Sequence, residues 1–599
     1  MSRTTVRRRS RDGPRGALLR AFGCVAAAAA LALVPARSLA NWTSDPTVNL
    51  PVCAHTAEQQ MPTLLPDGYG GAWIVWSDTR VAPNHADIYA QHVLAPGVVD
   101  AAWPDSALAV CTAWSAQMEP VIVTDGAGGM LIGWWDQRVA ATNPDVYFQH
   151  VLATGAVDPA WPVNGAPVVI SLDNQYPPIM LADGAGGAFF FFGDNDGTSN
   201  NVYAQHMLGS GDRDPGWSDN GLRLCYVIGD QLFPSAVSDG AAGMLVGWGD
   251  TRASVGGVYA TRVLPSGLHP DWPVNGLAVC TSPIDIGSVK LAPDGSGGAI
   301  IAWSDRRTSA TGDLYAQHLL ASGAVDPTWP PGGVPVCTAL NDQVVPQMVS
   351  DGTHGAIVVW WDKRSGNFDL YAHHILATGT LDPAWPADGR ALVIAPGDQQ
   401  ASKYGLFPDG AGGALCVWRD GRTGALTRDV YATRILASGA LDPTWPAGGL
   451  PVCTASGNQG TPAACPDGSG GLIATWADQR LGTFDIFAQR IAANGTLPNV
   501  GVGDRTETAL RIDTPRPNPA REGTVFSLSL AASDRTRVEI FDVGGRVVRM
   551  LADEDVPAGA REIHWDLRDG YGRRVTPGLY LVRVAAGRCV VSSRVVVFE

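Results

Sequence analysis

The sequence predicts an all-β protein: an eight-bladed β-propeller with four strands per repeat of about 57 residues, followed by a small β-sandwich. The main observation is an Asp-Gly turn that recurs eight times at intervals of 55 to 58 residues. An aromatic residue follows nine positions after each of these aspartates. The chain also has 71 Gly and 43 Pro but only 17% charged residues, which favours short strands joined by turns. The turns begin at Asp67, Asp125, Asp183, Asp239, Asp294, Asp351, Asp409 and Asp467.

Residues 1–40 are typical of a secretory signal peptide. Several arginines precede the apolar run "CVAAAAALALVPA", and "SLA" then fits a cleavage site before Asn41. The net charge of −15 includes +7 from these residues, so the remainder carries −22. Such an acidic chain is a poor candidate for nucleic-acid binding, and no later run is apolar enough to span a membrane. We therefore expect a secreted, extracellular or outer-cell-surface protein.

Each repeat reads as four strands, and the ring is predicted to close through the N-terminus. Around Asp351 the strands are "VVPQMVS", "AIVVWWD", "DLYAHHIL" and "ALVIA". The last repeat lacks a fourth strand, whereas "LPVC" at residues 50–53 stands alone before the first repeat. We expect this strand to complete the last repeat, because an open ring would expose strand edges. The propeller then covers residues 41–497.

The polar residues of each repeat suggest structure before catalysis. The element W-x-D-x-R recurs with eight aspartates and seven arginines, whereas a catalytic pair is needed only once. We interpret it as a charge pair that fixes a loop. A histidine column in the third strand is interpreted in the same way, because equivalent positions on different blades lie too far apart to share a metal. Its members are His92, His150, His206, His318 and His374, with Arg262, Arg434 and Arg490 in the other repeats.

Tryptophans and cysteines also recur in columns. One Trp column lies in the second strand and another in the link "DPxWP"; both favour core packing, although exposed rings could stack on sugars. Cysteines recur in the fourth strand of different blades, so disulfides among them are unfavourable geometrically. Ile170 and Ile394 replace Cys in our alignment, which favours a buried apolar role for the column.

The third repeat departs from the pattern and suggests calcium. There W-x-D-x-R becomes "FGDNDGTSNN", and Asp194, Asp196 and Asn200 alternate like the front of a calcium loop. The alternative is a turn rich in Asp and Asn that binds no metal. Calcium is the only cofactor that the sequence suggests.

After a linker at 498–507 the repeat stops. The motifs "PRPNPA", "VEIFDVGGRVVRML", "IHWDLRDGYGRRVTPGLYLVRV" and "SSRVVVFE" follow, with turn signals typical of a small β-sandwich. Residues 508–599 resemble the Ig-like domain of the FlgD type and are similar to sorting domains of type IX secretion substrates. The resemblance implies export or surface attachment, with export machinery as a partner. Arg594 stands where sorting domains usually carry Lys.

The repeats resemble secreted bacterial propeller repeats and, more distantly, follow the blade order of sialidases. The sialidase Asp-box is missing, and no unique acid–base pair breaks the repeat. We therefore expect a non-catalytic protein that presents loops to a glycan or protein ligand. The alternative is a secreted carbohydrate-active enzyme of sialidase-like propeller type. The face with the repeated Asp, Arg and Gln residues is the polar candidate for ligand contact.

Overall fold

The structure, a computed structural model, describes residues 42–498 and 510–598, apart from short gaps. The gaps are at 84, 141–142, 171–173, 253–255, 282–285, 309, 425–426, 513–514, 531–532, 543–546, 558 and 587–588. The predicted signal peptide and, Pro498 aside, the predicted linker lie outside the described residues. No helix in the described part has the length and apolar composition needed to cross a bilayer.

The described strands up to residue 491 form eight antiparallel sheets, one for each repeat. In chain order, β1 is Leu50–Cys53, and sheet I has β2 (Gln59–Pro66), β3 (Ala72–Ala82), β4 (His85–Leu94), β5 (Val98–Val99) and β6 (Leu108–Cys111). Sheet II has β7 (Gln117–Thr124), β8 (Met130–Ala140), β9 (Asn143–Val151) and β10 (Ala166–Val169). Sheet III has β11 (Asn174–Gln175), β12 (Ile179–Ala182), β13 (Ala188–Asn195), β14 (Asn200–Met207) and β15 (Leu222–Arg223). Sheet IV has β16 (Gln231–Ser238), β17 (Met244–Asp250), β18 (Gly257–Leu264), β19 (Gly267–Leu268) and β20 (Leu277–Cys280).

The remaining sheets follow the same order. Sheet V has β21 (Ile286–Pro293), β22 (Ala299–Asp305), β23 (Asp313–Leu319) and β24 (Val334–Cys337). Sheet VI has β25 (Gln343–Ser350), β26 (Ala356–Asp362), β27 (Asp369–Ile375) and β28 (Arg390–Val393). Sheet VII has β29 (Gln399–Pro408), β30 (Ala414–Asp420), β31 (Asp429–Ile435) and β32 (Leu450–Cys453). Sheet VIII has β33 (Ala463–Pro466), β34 (Leu472–Asp478) and β35 (Asp485–Ile491), and its fourth strand is β1.

The N-terminal strand completes the last sheet, as predicted. Leu50 of β1 faces Ala488 of β35 in an antiparallel pair. The Asn49 side chain donates a hydrogen bond to the Val452 carbonyl, 2.9 Å away in sheet VII. The first strands also contact one another from each sheet to the next, and β2 contacts β33 of sheet VIII. Pairing of this kind removes the free edge that β35 would otherwise present.

The two aromatic columns are core, as predicted. The second-strand residue is fully buried in every sheet, from Trp76 to Trp476. Six of the seven link tryptophans are buried against a turn of the following sheet, where a glycine leaves room for the ring. Trp217 is the exception: it is half-buried, and its indole donates to the Pro265 carbonyl. Trp42 packs like the other six between the N-terminus and sheet I: its indole donates to the Ala95 carbonyl at 2.8 Å, and a Cβ on Gly97 would overlap the ring. The core is therefore continuous from sheet to sheet, including from the N-terminus to sheet I.

Strand register corrects our alignment of the cysteine column. Val169 pairs with Val146, as Cys53 pairs with Ile486, so valine takes the cysteine position in sheet II. Val393 takes it in sheet VI. Ile170 and Ile394, assigned to the column from sequence, lie one residue further along and are exposed. The eight described cysteines are free, without a disulfide among them.

The C-terminal strands form two further sheets around a separate core. The first has β36 (Leu510–Ile512), β37 (Thr524–Leu530) and β40 (Gly559–Trp565). The second has β38 (Asp534–Asp542), β39 (Val547–Val556), β41 (Gly578–Ala586) and β42 (Cys589–Val597). Phe526, Ile540, Trp565 and Val582 lie among its fully buried residues. This is the two-sheet arrangement that the alternating sequence predicts.

Candidate functional site

The W-x-D-x-R element forms a buried clamp in each sheet that contains it. In sheet II, Asp136 is fully buried and accepts hydrogen bonds from the Trp134 indole at 2.7 Å and from Arg138 Nη2 at 2.6 Å. The Arg138 guanidinium lies 3.9 Å from the centre of the Tyr147 ring. A guanidinium that donates to a buried carboxylate and lies over an aromatic ring is a structural ion pair.

The clamp also joins neighbouring sheets. Arg138 Nη2 lies 3.1 Å from Cys111 Sγ, and Cys111 belongs to the last strand of sheet I. Arg80 of sheet I reaches Cys53 of β1 in the same way, at 3.2 Å. The prediction of a structural charge pair therefore agrees with these contacts, which also give the cysteine column a role that the sequence did not reveal.

Each histidine of the column contacts two aspartate carboxylates. His92 lies between two aspartates, with Nε2 3.0 Å from Asp67 and Nδ1 2.9 Å from Asp100. Asp67 in turn accepts hydrogen bonds from the backbone of its own Asp-Gly turn. Burial lowers the pKa of His92, but the two carboxylates outweigh it and hold the pKa above its usual value.

The glutamines of the predicted polar face are internal. Gln59, Gln117, Gln175, Gln231, Gln343 and Gln459 have at most 1% of their surface exposed. The Gln175 amide donates to the Asp194 carboxylate, and each of the other five donates to a backbone carbonyl of a nearby loop. This face therefore offers a ligand little of the polar chemistry that the sequence suggested.

The candidate calcium residues of sheet III make separate contacts. The Asp194 carboxylate accepts from Gln175 at 3.1 Å, and Asp196 caps its own turn through Thr198 and Ser199. Asn200 donates to Asp230 at 3.0 Å. No group of three or more His, Cys, Asp or Glu side chains in the described part of the chain is placed to hold a metal. Calcium at Asp194, Asp196 and Asn200 stays a prediction.

The first strands of seven sheets converge on a cavity of about 380 Å³. Its walls are mainly apolar, and include Leu64, Val121, Met180 and Phe407. Two lysines, Lys290 of β21 and Lys403 of β29, interrupt this lining. Apolar walls with a few polar groups are typical of small-ligand sites.

Lys290 breaks the repeat at a defined register position. It faces Ala302 on the next strand, where the equivalent pairs in other sheets are Thr63 with Val75 and Val121 with Gly133. Burial and the neighbouring charge of Lys403 both lower the pKa of Lys290, to about 8. No described carboxylate lies close enough to counter this effect. An amine desolvated beside a second cation has the features that make lysine side chains functional.

Lys403 lies in a local widening of strand β29. Four residues there oppose a single residue of β30, whereas the other sheets with a bulge here have two. Lys403 and Tyr404 are both exposed at this widening, with the amine 5.0 Å from the centre of the Tyr404 ring. Burial raises the pKa of Glu119, and the charge of Lys403 opposes this effect without cancelling it. Two positive charges and one negative charge, Lys290, Lys403 and Glu119, thus lie on the first strands of three sheets.

The first strands of four sheets carry backbone strain. Met61, Glu119, Phe233 and Val345 occupy one equivalent position with φ between +51° and +55°, each immediately before a proline. Positive φ is unfavourable for bulky and β-branched residues, and such strain concentrates at ligand sites.

The cavity lined by Lys290 and Lys403 is not evident from the repeat pattern, because that pattern shows only the residues that the repeats share. The available signal was rarity, since the chain has only three lysines and two of them lie in first strands.

Comparison with known proteins identifies the C-terminal part. Residues 519–588 match the family model of the FlgD Ig-like domain. Among curated proteins, no sequence matches this chain.

Several solved structures are similar in part, at low identity. Dipeptidyl peptidase 4 of Porphyromonas gingivalis is 12% identical over 79% of this chain and 65% of its own, with a TM-score of 0.39. The polysaccharide lyase Uly1 is 9% identical over 61% of this chain and 88% of its own, with a TM-score of 0.38. A protein of unknown function from Dyadobacter fermentans is 9% identical over 55% and 98%, with a TM-score of 0.31. The chain is thus an all-β protein of four- and five-stranded antiparallel sheets that ends in an Ig-like domain of the FlgD type.

Proposed function

We propose that this chain is a secreted or cell-surface binding protein without catalytic activity. In this proposal the eight sheets are the blades of a closed propeller, and the cavity between their first strands holds the ligand. Contacts between successive first strands and the pairing of β1 with β35 support the closed ring. The C-terminal Ig-like domain serves export or anchoring.

One contrast carries the binding proposal. The polar residues repeated around the chain are paired inside their own or neighbouring sheets, as Asp136 is with Arg138. Two charges that break the repeat, Lys290 and Lys403, instead line the cavity, and Lys290 has no carboxylate partner among the described residues. Unpaired charge in an apolar cavity is unfavourable unless a ligand completes it.

The division into domains follows from the same proposal. Residues 1–40 act as the signal peptide, 41–497 as the propeller, 498–507 as the linker and 508–599 as the export or anchoring domain. Cell fractionation tests this division in a host with type IX secretion. We expect the full chain in the medium or on the surface, beginning at Asn41, and a chain lacking 508–599 in the periplasm.

A glycan array probed with the mature chain, residues 41–599, tests the binding proposal. Both retained protein and loss of printed glycan are measured. Selective retention identifies a glycan binder. If neither signal is seen, protein partners are sought next, by crosslinking at the cavity. Loss of printed glycan contradicts the non-catalytic proposal and supports a carbohydrate-active enzyme instead.

A further inference from the structure

Lysine is so rare in this chain that its placement is informative. The chain has three lysines among 599 residues and carries a net charge of −15. Lys290 and Lys403 come from two different sheets and line one cavity, whereas Lys363 follows β26 on a loop of sheet VI. Two ammonium groups in one cavity of an acidic protein create a local positive potential that attracts anions.

The shape and the walls of the cavity restrict the anion further. Apolar side chains from sheets I, II, III and VII form most of the lining, among them Leu64, Ile122, Met180 and Leu406. Small inorganic anions would leave this surface in contact with water. An anion attached to an apolar body would use both the ammonium groups and the walls.

We propose that the cavity binds the carboxylate of an organic acid between Lys290 and Lys403, with the apolar body of the acid against the walls. This inference rests on the proposed ligand-binding function and names the ligand class. Carboxylate is favoured because two ammonium groups can each donate to one of its oxygens. The carboxylate of the ligand supplies the negative partner that Lys290 lacks among the described residues.

The titratable groups around the cavity set an expected pH dependence. Lys403, Tyr404 and Cys465 line the cavity together with Lys290, and Glu119 lies close enough to Lys403 for the two charges to interact. Because the pKa of Lys290 is about 8 without a ligand, the amine loses its charge above that pH. The affinity for a carboxylate therefore falls as pH rises from 7 to 9, and a bound carboxylate raises the pKa of Lys290.

Calorimetric titration of the mature chain tests the inference. The probes are hexanoate, glucuronate and sulfate, with hexanol as the uncharged analogue. The variants are Lys290→Gln and Lys403→Gln, and Lys363→Gln is the matched control. We expect hexanoate to bind wild type and Lys363→Gln equally, and each cavity variant at least tenfold more weakly. Glucuronate has a polar body and should bind wild type more weakly than hexanoate does, and tighter binding of glucuronate contradicts an apolar body against the walls.

Amine acylation followed by mass spectrometry gives a second readout, because only three lysines have to be assigned. We expect Lys290 to react at pH 8 and to be protected by the bound carboxylate, whereas Lys363 reacts equally with and without it. Equal affinity in the cavity variants, or no carboxylate binding to wild type, overturns the inference. If a ligand found on the array still binds both cavity variants, the proposed binding function is retained and the carboxylate inference is rejected.

Discussion

Asp78 and Asp87 lie directly opposite each other on the second and third strands of sheet I. Both are buried, and like charges in directly opposed positions destabilise a sheet. Burial raises the pKa of Asp87 to about 6, the Asp78 charge adds to this effect, and Arg80 opposes it. The same register joins Asp362 to Asp369 in sheet VI, where burial again raises the pKa of the second carboxyl.

This opposition predicts that Asp87→Asn is stabilising at alkaline pH. A carboxyl whose folded pKa is raised contributes stability below pH 3.8, and this stability is lost as pH rises through about 6. We expect the variant to raise the free energy of unfolding by about 1–2 kcal/mol at pH 8 and by less at pH 5. Urea unfolding at both pH values measures this, and Asp219→Asn on the surface is the control. An equal effect at both pH values contradicts the prediction.

Closure by the N-terminus predicts a large cost for Trp42→Ala. Trp42 is 1% exposed and packs against sheet I, so truncation leaves a cavity and costs about 3–5 kcal/mol. Deleting residues 41–55 should lower the melting temperature sharply, because β35 also loses its partner. Calorimetry measures both changes, with Trp114→Ala, which is 73% exposed in wild type, as the control. A melting temperature unchanged by the deletion contradicts the closed ring.

The clamp predicts a graded response at Arg138. Arg138→Ala leaves Asp136 buried beside no cation, which costs about 3–5 kcal/mol. Arg138→Lys keeps the charge but loses the fork that reaches both Asp136 and Cys111, so its cost is intermediate. Denaturant unfolding ranks the variants against Arg213→Ala, whose exposed pair with Asp219 contributes less than about 1 kcal/mol. Equal losses for Ala and Lys would show that the fork geometry has no role.

The histidine column predicts that His92→Arg flattens the pH dependence of stability. The pKa of His92 is raised in the folded state, so its contribution is complete below pH 6.5 and is lost as pH rises through the folded pKa. Arginine already makes the equivalent pairs in sheet VII, where Arg434 contacts Asp409 at 2.8 Å. We expect His92→Arg to remove part of the loss of melting temperature between pH 6 and 8, and His92→Ala to be destabilising throughout. His55→Arg, at an exposed position, should leave the profile unchanged.

Calcium at sheet III is tested by titrating the mature chain with Ca²⁺. If Asp194, Asp196 and Asn200 form a site, binding appears in wild type and is lost in Asp196→Asn. If wild type shows no heat of binding, or if the variant binds as well as wild type, the calcium hypothesis is rejected.

The repeated elements of the fold are predictable from the sequence because they recur. Trp76 and Asp78 alternate in a way that fixes one face of the strand, and seven further copies confirm the pattern. The cavity could not be predicted from this recurrence, because Lys290 differs from the residues at its position in the other first strands, such as Thr63 and Val121. The register at Val169 could not be read either, since Val and Ile are equally suited to a buried strand.

The pairing of β1 with β35 joins two segments more than 430 residues apart in the chain. During synthesis β1 therefore emerges first and can pair only after β35, the last strand of these sheets, has been made. Contacts of such high sequence separation slow folding, and β35 keeps an open edge until they form. During that interval we expect the unpaired edge of β35 to be open to proteases and to strand exchange with a second copy.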